Sequence, residues 1–129
     1  REIEQGYLPG TRIQERLRKI VDADRILHMR SIKLGSGLVR VEVQEEIEPE
    51  LFDRLWPLTQ GRRLTKKRYR FPYGGLVWEV DGFTDRELWL AEVELPSADH
   101  ESPPPDWLEA HIVREVTDEP EFLNVNLAR

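Results

Sequence analysis

Residues 64–81 read LTKKRYRFPYGGLVWEVD. Lys66, Arg68 and Arg70 occupy alternate positions in the first half, and Glu79 and Asp81 do so in the second, with Tyr73, Gly74 and Gly75 between them. Side chains two apart in a strand share a face, so each half has one ionic and one mostly apolar face. The Gly-Gly pair between two such runs predicts a hairpin with a cationic arm and an anionic arm. The pattern recurs outward along the chain. Arg16 and Arg18 share a parity in ERLRK (15–19), Arg40, Glu42, Gln44 and Glu46 in LVRVEVQEEI (38–47), and Glu92 and Glu94 in LAEVELP (90–96). Solubility does not require the segregation of sign shown by every one of these stretches except 38–47, where Arg40 stands with Glu42 and Glu46. A sheet curled with these faces inward makes a tunnel with acidic and basic walls, the chemistry needed to hold a polyanion together with divalent cations.

Composition sets the frame. The chain has 129 residues, 39% hydrophobic and 34% charged, which predicts one domain over residues 1–129 that buries a core without crosslinks. It contains no cysteine, which removes disulfides and thiolate metal sites and points to a cytoplasmic setting. No apolar run reaches the roughly 18 residues of a membrane span, so no membrane partner is expected. A net charge of −6 argues against broad attraction to nucleic acid, while a local basic wall can still hold phosphate.

Gly and Pro punctuation divides the chain into extended segments and few helices, an α+β class dominated by antiparallel strands. Strands are expected over 1–8, 12–21, 25–34, 38–47, 63–72, 75–81 and 88–95, the second and third joined around Asp22, Ala23 and Asp24. Gly35-Ser36-Gly37 reads as a hairpin turn, being too short for a phosphate loop. Leu51, Phe52, Leu55, Trp56 and Leu58 fall near helical spacing after Pro49, predicting a short amphipathic helix. A second short helix is expected from Asp106 and a further turn from Pro120.

The strings IEQGYLPG, SIKLGSGLVRVE, KKRYRFPYGGLVWEVD, LAEVELPS, DWL, REVTDEPEF and NVNLA resemble the CYTH superfamily, also called triphosphate tunnel metalloenzymes, over nearly the whole chain. The resemblance implies an antiparallel β-barrel tunnel with a few short packing helices, in which basic side chains hold a triphosphate and acidic ones hold Mg²⁺ or Mn²⁺. It places substrate-binding groups at Arg16, Arg18, Lys33, Arg40, Lys66, Arg68 and Arg70, with Lys66 and Arg68 also catalytic. It places metal ligands at Glu42, Glu79, Asp81, Glu92 and Glu94. Ser31 stands where the family has threonine, and Gln44 stands where a further glutamate is often found. REIEQGYLPG matches the family's second strand, so the glutamate-x-glutamate-x-lysine strand that opens the family fold is expected to lie outside these residues, leaving an open or patched barrel. In an alternative register, ranked lower, Glu2 and Glu4 are that motif and point into the tunnel beside Glu92 and Glu94.

The chemistry agrees with these positions. Arg forms planar two-pronged contacts with phosphate and Lys acts as a compact charge, while Mg²⁺ and Mn²⁺ take hard oxygen ligands. The leading expectation is metal-dependent hydrolysis of a triphosphate, most simply inorganic tripolyphosphate. The alternatives are thiamine triphosphate hydrolysis, cyclisation of ATP, or a non-catalytic polyphosphate- or nucleotide-binding module, with a homodimer or a further domain in the natural chain. Each ionic strand taken singly also fits a solvated sheet face. Glu45, Glu48, Glu50, Arg62 and Arg63 are expected to be solvated. His28, His100 and His111 lack metal spacing, and Trp56, Trp78, Trp89 and Trp107 are expected to be packing residues rather than a base-stacking platform.

Overall fold

The computed structural model describes residues 1–10, 13–36, 39–96, 103–112, 114–117 and 119–128. Its strands are β1 (Glu2–Tyr7), β2 (Ile13–Asp22), β3 (Arg25–Ser36), β4 (Val39–Glu46), β5 (Arg63–Tyr73), β6 (Leu76–Phe83) and β7 (Trp89–Val93). They form one antiparallel sheet in the order β4-β3-β2-β1-β5-β6-β7. The 64–81 stretch is the predicted hairpin. Gly74 and Gly75 turn it with φ of +62° and +78°, the left-handed pair that a two-residue turn needs to match the strand twist. Residue 37 and residues 97–102, which include His100, lie outside the described residues.

Directly opposed residues in an antiparallel ladder share a face, so the register sorts the side chains. Arg16 opposes Tyr7 and Ser31, Arg18 opposes Gln5 and Met29, and Lys33 opposes Glu42. Lys66 opposes Ile3 and Phe83, Arg68 opposes Asp81, Arg70 opposes Glu79, and Glu79 opposes Glu92. All of these lie on one face of the sheet. The charged parities read from separate strands therefore converge on a single ionic face.

Leu17 and Gly6 lie on the opposite face, which is covered by α1 (Pro49–Leu55) and the 3-10 turn Trp56–Thr59. Leu8, Leu17 and Phe52 form its core, with Ile47, Leu55 and Trp56 packed around them. Phe52 stacks on Trp56 at 5.2 Å and meets the edge of His28 at 5.0 Å. Gly6 is required here, because a Cβ at this position would lie 2.6 Å from Thr59 Oγ1. Arg63, expected in solvent, is half-buried instead. It donates to Thr59 Oγ1 and to the Trp56 carbonyl, both at 2.8 Å, and lies 4.5 Å over the Trp56 ring. Its charge cannot be read as solvated from sequence because the acceptors that hold it belong to the preceding turn.

A second core closes one end of the ionic face. Tyr7, Leu64, Phe83 and Ala128 pack together, with Leu88, Leu90, Val125 and Leu127 against them. This cluster docks α3 (Asn124–Leu127) on the end of the β5–β6 hairpin away from its glycine turn, while α2 (Asp106–Glu109) precedes it in the chain. Two tryptophans depart from expectation. Trp78 is buried, but Trp89 and Trp107 are 68% and 60% exposed. Trp89 lies over Gly82, and Trp107 touches Phe71 at 5.2 Å.

The sheet of the described residues is not closed, since β4 and β7 end its order. The architecture is thus the expected antiparallel sheet with short helices, without the closed barrel. β1 lies at the centre, between β2 and β5, and Glu2 and Glu4 point to the face opposite Glu92. The register in which those two glutamates join the acidic pair is therefore not adopted. No helix among the described residues is long and apolar enough to cross a membrane.

Candidate functional site

The β5–β6 wall is a ladder of ion pairs. Asp81 sits between two cations. Arg68 grips it with a fork, Nε to Oδ1 at 2.7 Å and Nη2 to Oδ2 at 2.8 Å, and Lys66 Nζ reaches Oδ2 at 2.9 Å. The Lys66 side chain is 0% exposed and that of Asp81 is 4% exposed. Glu79 then bridges Arg68 and Arg70, each at 3.3 Å. Burial pushes the Lys66 ammonium down despite its Asp81 partner. Burial would push the Asp81 carboxyl up, but two hydrogen-bonded cations outweigh it and hold the group below its ordinary value. Arg68 is likewise penalised by burial and pushed up on balance by Asp81 and Glu79.

The β2–β3 wall is different. Arg16 donates from Nε to Ser31 Oγ at 3.0 Å, a neutral partner. Arg18 Nε is buried with no hydrogen-bond partner. Burial and the nearby Arg16 and Arg68 charges push the Arg18 guanidinium down to about 10, which leaves it charged at neutral pH. A buried cation without a counter-ion is costly, and an anion on this face would supply the missing partner. Lys33 shares the face one strand further out. The Arg40 side chain falls outside the description, although its backbone pairs with Gly35.

The acidic residues divide in the same way. Glu79 and Glu92 are cross-strand partners and, with Glu94 and Arg70, line a hollow of about 370 Å³. Glu42 lies on β4, far along the sheet order, where Gln44 Nε2 donates to it at 3.4 Å. Among the described residues no three carboxylate, His or Cys groups come together in a form that could hold a metal ion. A pair of carboxylates is nevertheless what Mg²⁺ commonly takes from a protein, with substrate phosphates and water completing its shell. Glu79 and Glu92 fit that donor set, whereas both oxygens of Asp81 are taken by Lys66 and Arg68.

Three residues in the site had no role in the sequence reading. Gln5 is fully buried on the ionic face; its Nε2 donates to the Tyr7 hydroxyl at 2.9 Å, and its Oε1 has no partner. Burial raises the Tyr7 phenol above its ordinary value, against the opposing pull of the nearby Arg16 charge. Both belong to the parity of IEQGYL, which carries no charge and so gives no ionic signal. Asn124 donates no such signal either; its Oδ1 accepts from Lys66 Nζ at 3.3 Å across 58 residues of sequence.

Comparisons with known proteins add to this geometry. The chain is 36% identical over 134 residues to the inorganic triphosphatase of Nitrosomonas europaea, covering 98% of this chain and 83% of that protein. It is 38% identical over 98 residues to the inorganic triphosphatase of Acetivibrio thermocellus, covering 74% of this chain and 60% of that relative's length. Its fold superposes on the crystal structure of the inorganic triphosphatase NE1496 with a TM-score of 0.67 and 31% identity, over 98% of this chain and 81% of that one. No family model matches the chain.

Proposed function

The chain belongs to the family of the inorganic triphosphatases, and from that premise we propose that its ionic face binds inorganic tripolyphosphate and hydrolyses it. The observation that carries the reading is the buried, unpartnered Nε of Arg18 beside Arg16 and Arg68 on the face where Lys66 and Arg70 also converge. The reaction breaks one phosphoanhydride bond and forms one P–O bond to water, giving phosphate and pyrophosphate. Charge develops on the bridging oxygen that leaves, so prearranged N–H donors accelerate the step without a covalent nucleophile. Arg16, Arg18 and Lys33 hold the phosphate chain from one wall, with Arg40 assigned to the same wall from its strand parity. Lys66, Arg68 and Arg70 approach from the other. Two of the five N–H donors of Arg68 go to Asp81, which fixes the plane of the guanidinium and leaves others for phosphate.

Glu79 and Glu92, with Glu94 beside them, would hold Mg²⁺ or Mn²⁺, which when bound neutralises and polarises phosphate oxygens. Asp81 serves as the internal counter-ion of Lys66 and Arg68, and Glu42 completes the acidic lining from β4. Membership of the CYTH, or triphosphate tunnel, superfamily and closure of the sheet into a tunnel are part of the same proposal, as is a cytoplasmic setting. A second reading, a binding module without turnover, is favoured by one observation: among the described residues no metal cluster of three ligands forms. Phosphate release from tripolyphosphate, thiamine triphosphate and ATP by the full natural chain, with Mg²⁺, Mn²⁺ or chelator, tests both. Metal-dependent release from tripolyphosphate is expected. Tight tripolyphosphate binding with no release under any metal would establish the module instead.

A further inference from the structure

Lys66 is the most enclosed cation of the ionic face, with its side chain 0% exposed. An ammonium has three N–H donors on a flexible four-carbon stem, so one anchor leaves it free to pivot. Here there are two anchors. Asp81 Oδ2 lies at 2.9 Å, and Asn124 Oδ1, on the first residue of α3, lies at 3.3 Å. The Phe83 ring centroid, 5.6 Å from Nζ, lines the same enclosure. A third N–H remains, enclosed with the rest of the side chain. The two anchors differ in kind, since Asp81 neutralises the ammonium as it holds it, whereas Asn124 offers a neutral carbonyl that orients the group without reducing its charge. Asn124 is itself fixed by the docking of α3. Ala128 is 3% exposed against Tyr7, Leu64 and Phe83, and Arg86 donates to the Leu127 carbonyl.

We propose that Asn124 is a positioning residue for Lys66, which it aims at the phosphate chain from outside the sheet. The inference rests on the reading above that Lys66 meets phosphate. Its test compares Asn124→Leu, Asn124→Asp and Val125→Ala in the full natural chain. Steady-state hydrolysis of tripolyphosphate with Mg²⁺ is followed, together with the rate at which acetic anhydride acetylates Lys66, read by peptide mass spectrometry. Asn124→Leu keeps the branched shape and removes the acceptor. It is expected to lower kcat about tenfold or more, because small misplacements of a catalytic group are costly, with a smaller change in KM, and to speed Lys66 acetylation. Asn124→Asp restores an acceptor at the same place but adds a second negative charge beside Lys66, so it should return the acetylation rate toward native while recovering kcat only in part. Val125→Ala weakens the packing of α3 and lowers the thermal midpoint, but leaves kcat near native well below that midpoint.

The proposal is overturned if Asn124→Leu and Val125→Ala lower kcat in proportion to their loss of thermal stability, which would make Asn124 a docking residue only. It is also overturned if Lys66 is acetylated at the native rate in Asn124→Leu. Failure of the functional reading looks different: the native chain releases no phosphate, while acetylation still separates Asn124→Leu from native.

Discussion

The two cationic walls of the ionic face are built from the same residue types and held in opposite ways. On β5–β6 each cation faces a carboxylate one strand away, and the central Lys66–Asp81–Arg68 cluster is closed to solvent. On β2 the two arginines face neutral groups: Arg16 meets Ser31, and Arg18 has a bare buried Nε, while Lys33 on β3 stands opposite Glu42. Attraction between buried charges barely offsets their desolvation even when the geometry is good, so the first wall brings its cations to a ligand already partly neutralised, while the second is poised for an anion. The difference teaches that the paired wall contributes architecture and orientation, and the unpaired wall contributes the pull on a ligand.

The largest effect should come from breaking the paired wall. Asp81→Ala leaves Lys66 buried without a counter-ion and should destabilise the fold by about 3–5 kcal/mol in urea denaturation. Replacing the cluster together, with Lys66→Met, Asp81→Leu and Arg68→Leu, should recover most of that stability while abolishing turnover. The same cluster sets a pH dependence. Because the folded Asp81 pKa is depressed, its contribution is present above the unfolded value of about 3.9 and is lost as pH falls through the lower folded value. Acid unfolding of Asp81→Asn should therefore lack that part of the transition. An unaltered acid profile in this variant would count against the cluster as described.

The unpaired wall should respond in the reverse sense. Arg18→Leu removes a buried, self-repelling charge, so stability should stay level or rise, while tripolyphosphate turnover should fall by about a hundredfold. A stability loss with normal kinetics would mean that Arg18 is structural and that the contrast between the walls is misdrawn. Glu92→Gln probes the acidic margin; it should raise the Mg²⁺ concentration for half-maximal activity by about tenfold and leave the melting temperature nearly unchanged. Equal Mg²⁺ titrations for native and variant would remove Glu92 from the metal site. The smallest effect is expected on the other face of the sheet, where half-buried Arg30 pairs with exposed Glu45 at 3.4 Å. Glu45→Gln should shift stability by no more than about 0.5 kcal/mol and leave hydrolysis untouched.

The strands, their order along the chain and the common parity of their charges were legible in the sequence, because alternation is a local property fixed by the two-residue period of a strand. Gly74-Gly75 and Pro49 likewise marked their turn and helix start by their own backbone preferences. Glu45, Glu48 and Glu50 are exposed as local polarity suggests, although Glu45 also meets Arg30. Exposed Trp89 and half-buried Arg63 were misjudged because their surroundings come from close backbone approach and from a turn, neither of which is written in residue type.

Within the site, the sequence by itself determined that Arg16, Arg18, Lys66, Arg68, Arg70, Glu79, Asp81 and Glu92 each lie on an ionic strand face, since parity along one strand needs no knowledge of any other. Only the tertiary structure decided that these faces are one face and which of the charges neutralise each other. Strand register is a pairing between distant segments, and a one-residue slip would have sent half of the charges to the helix-covered side. It also decided that Asp81 is consumed by Lys66 and Arg68, that Arg18 is left bare, and that Asn124 reaches Lys66. Burial and partnership depend on what packs alongside in space, which the local order of residues does not contain.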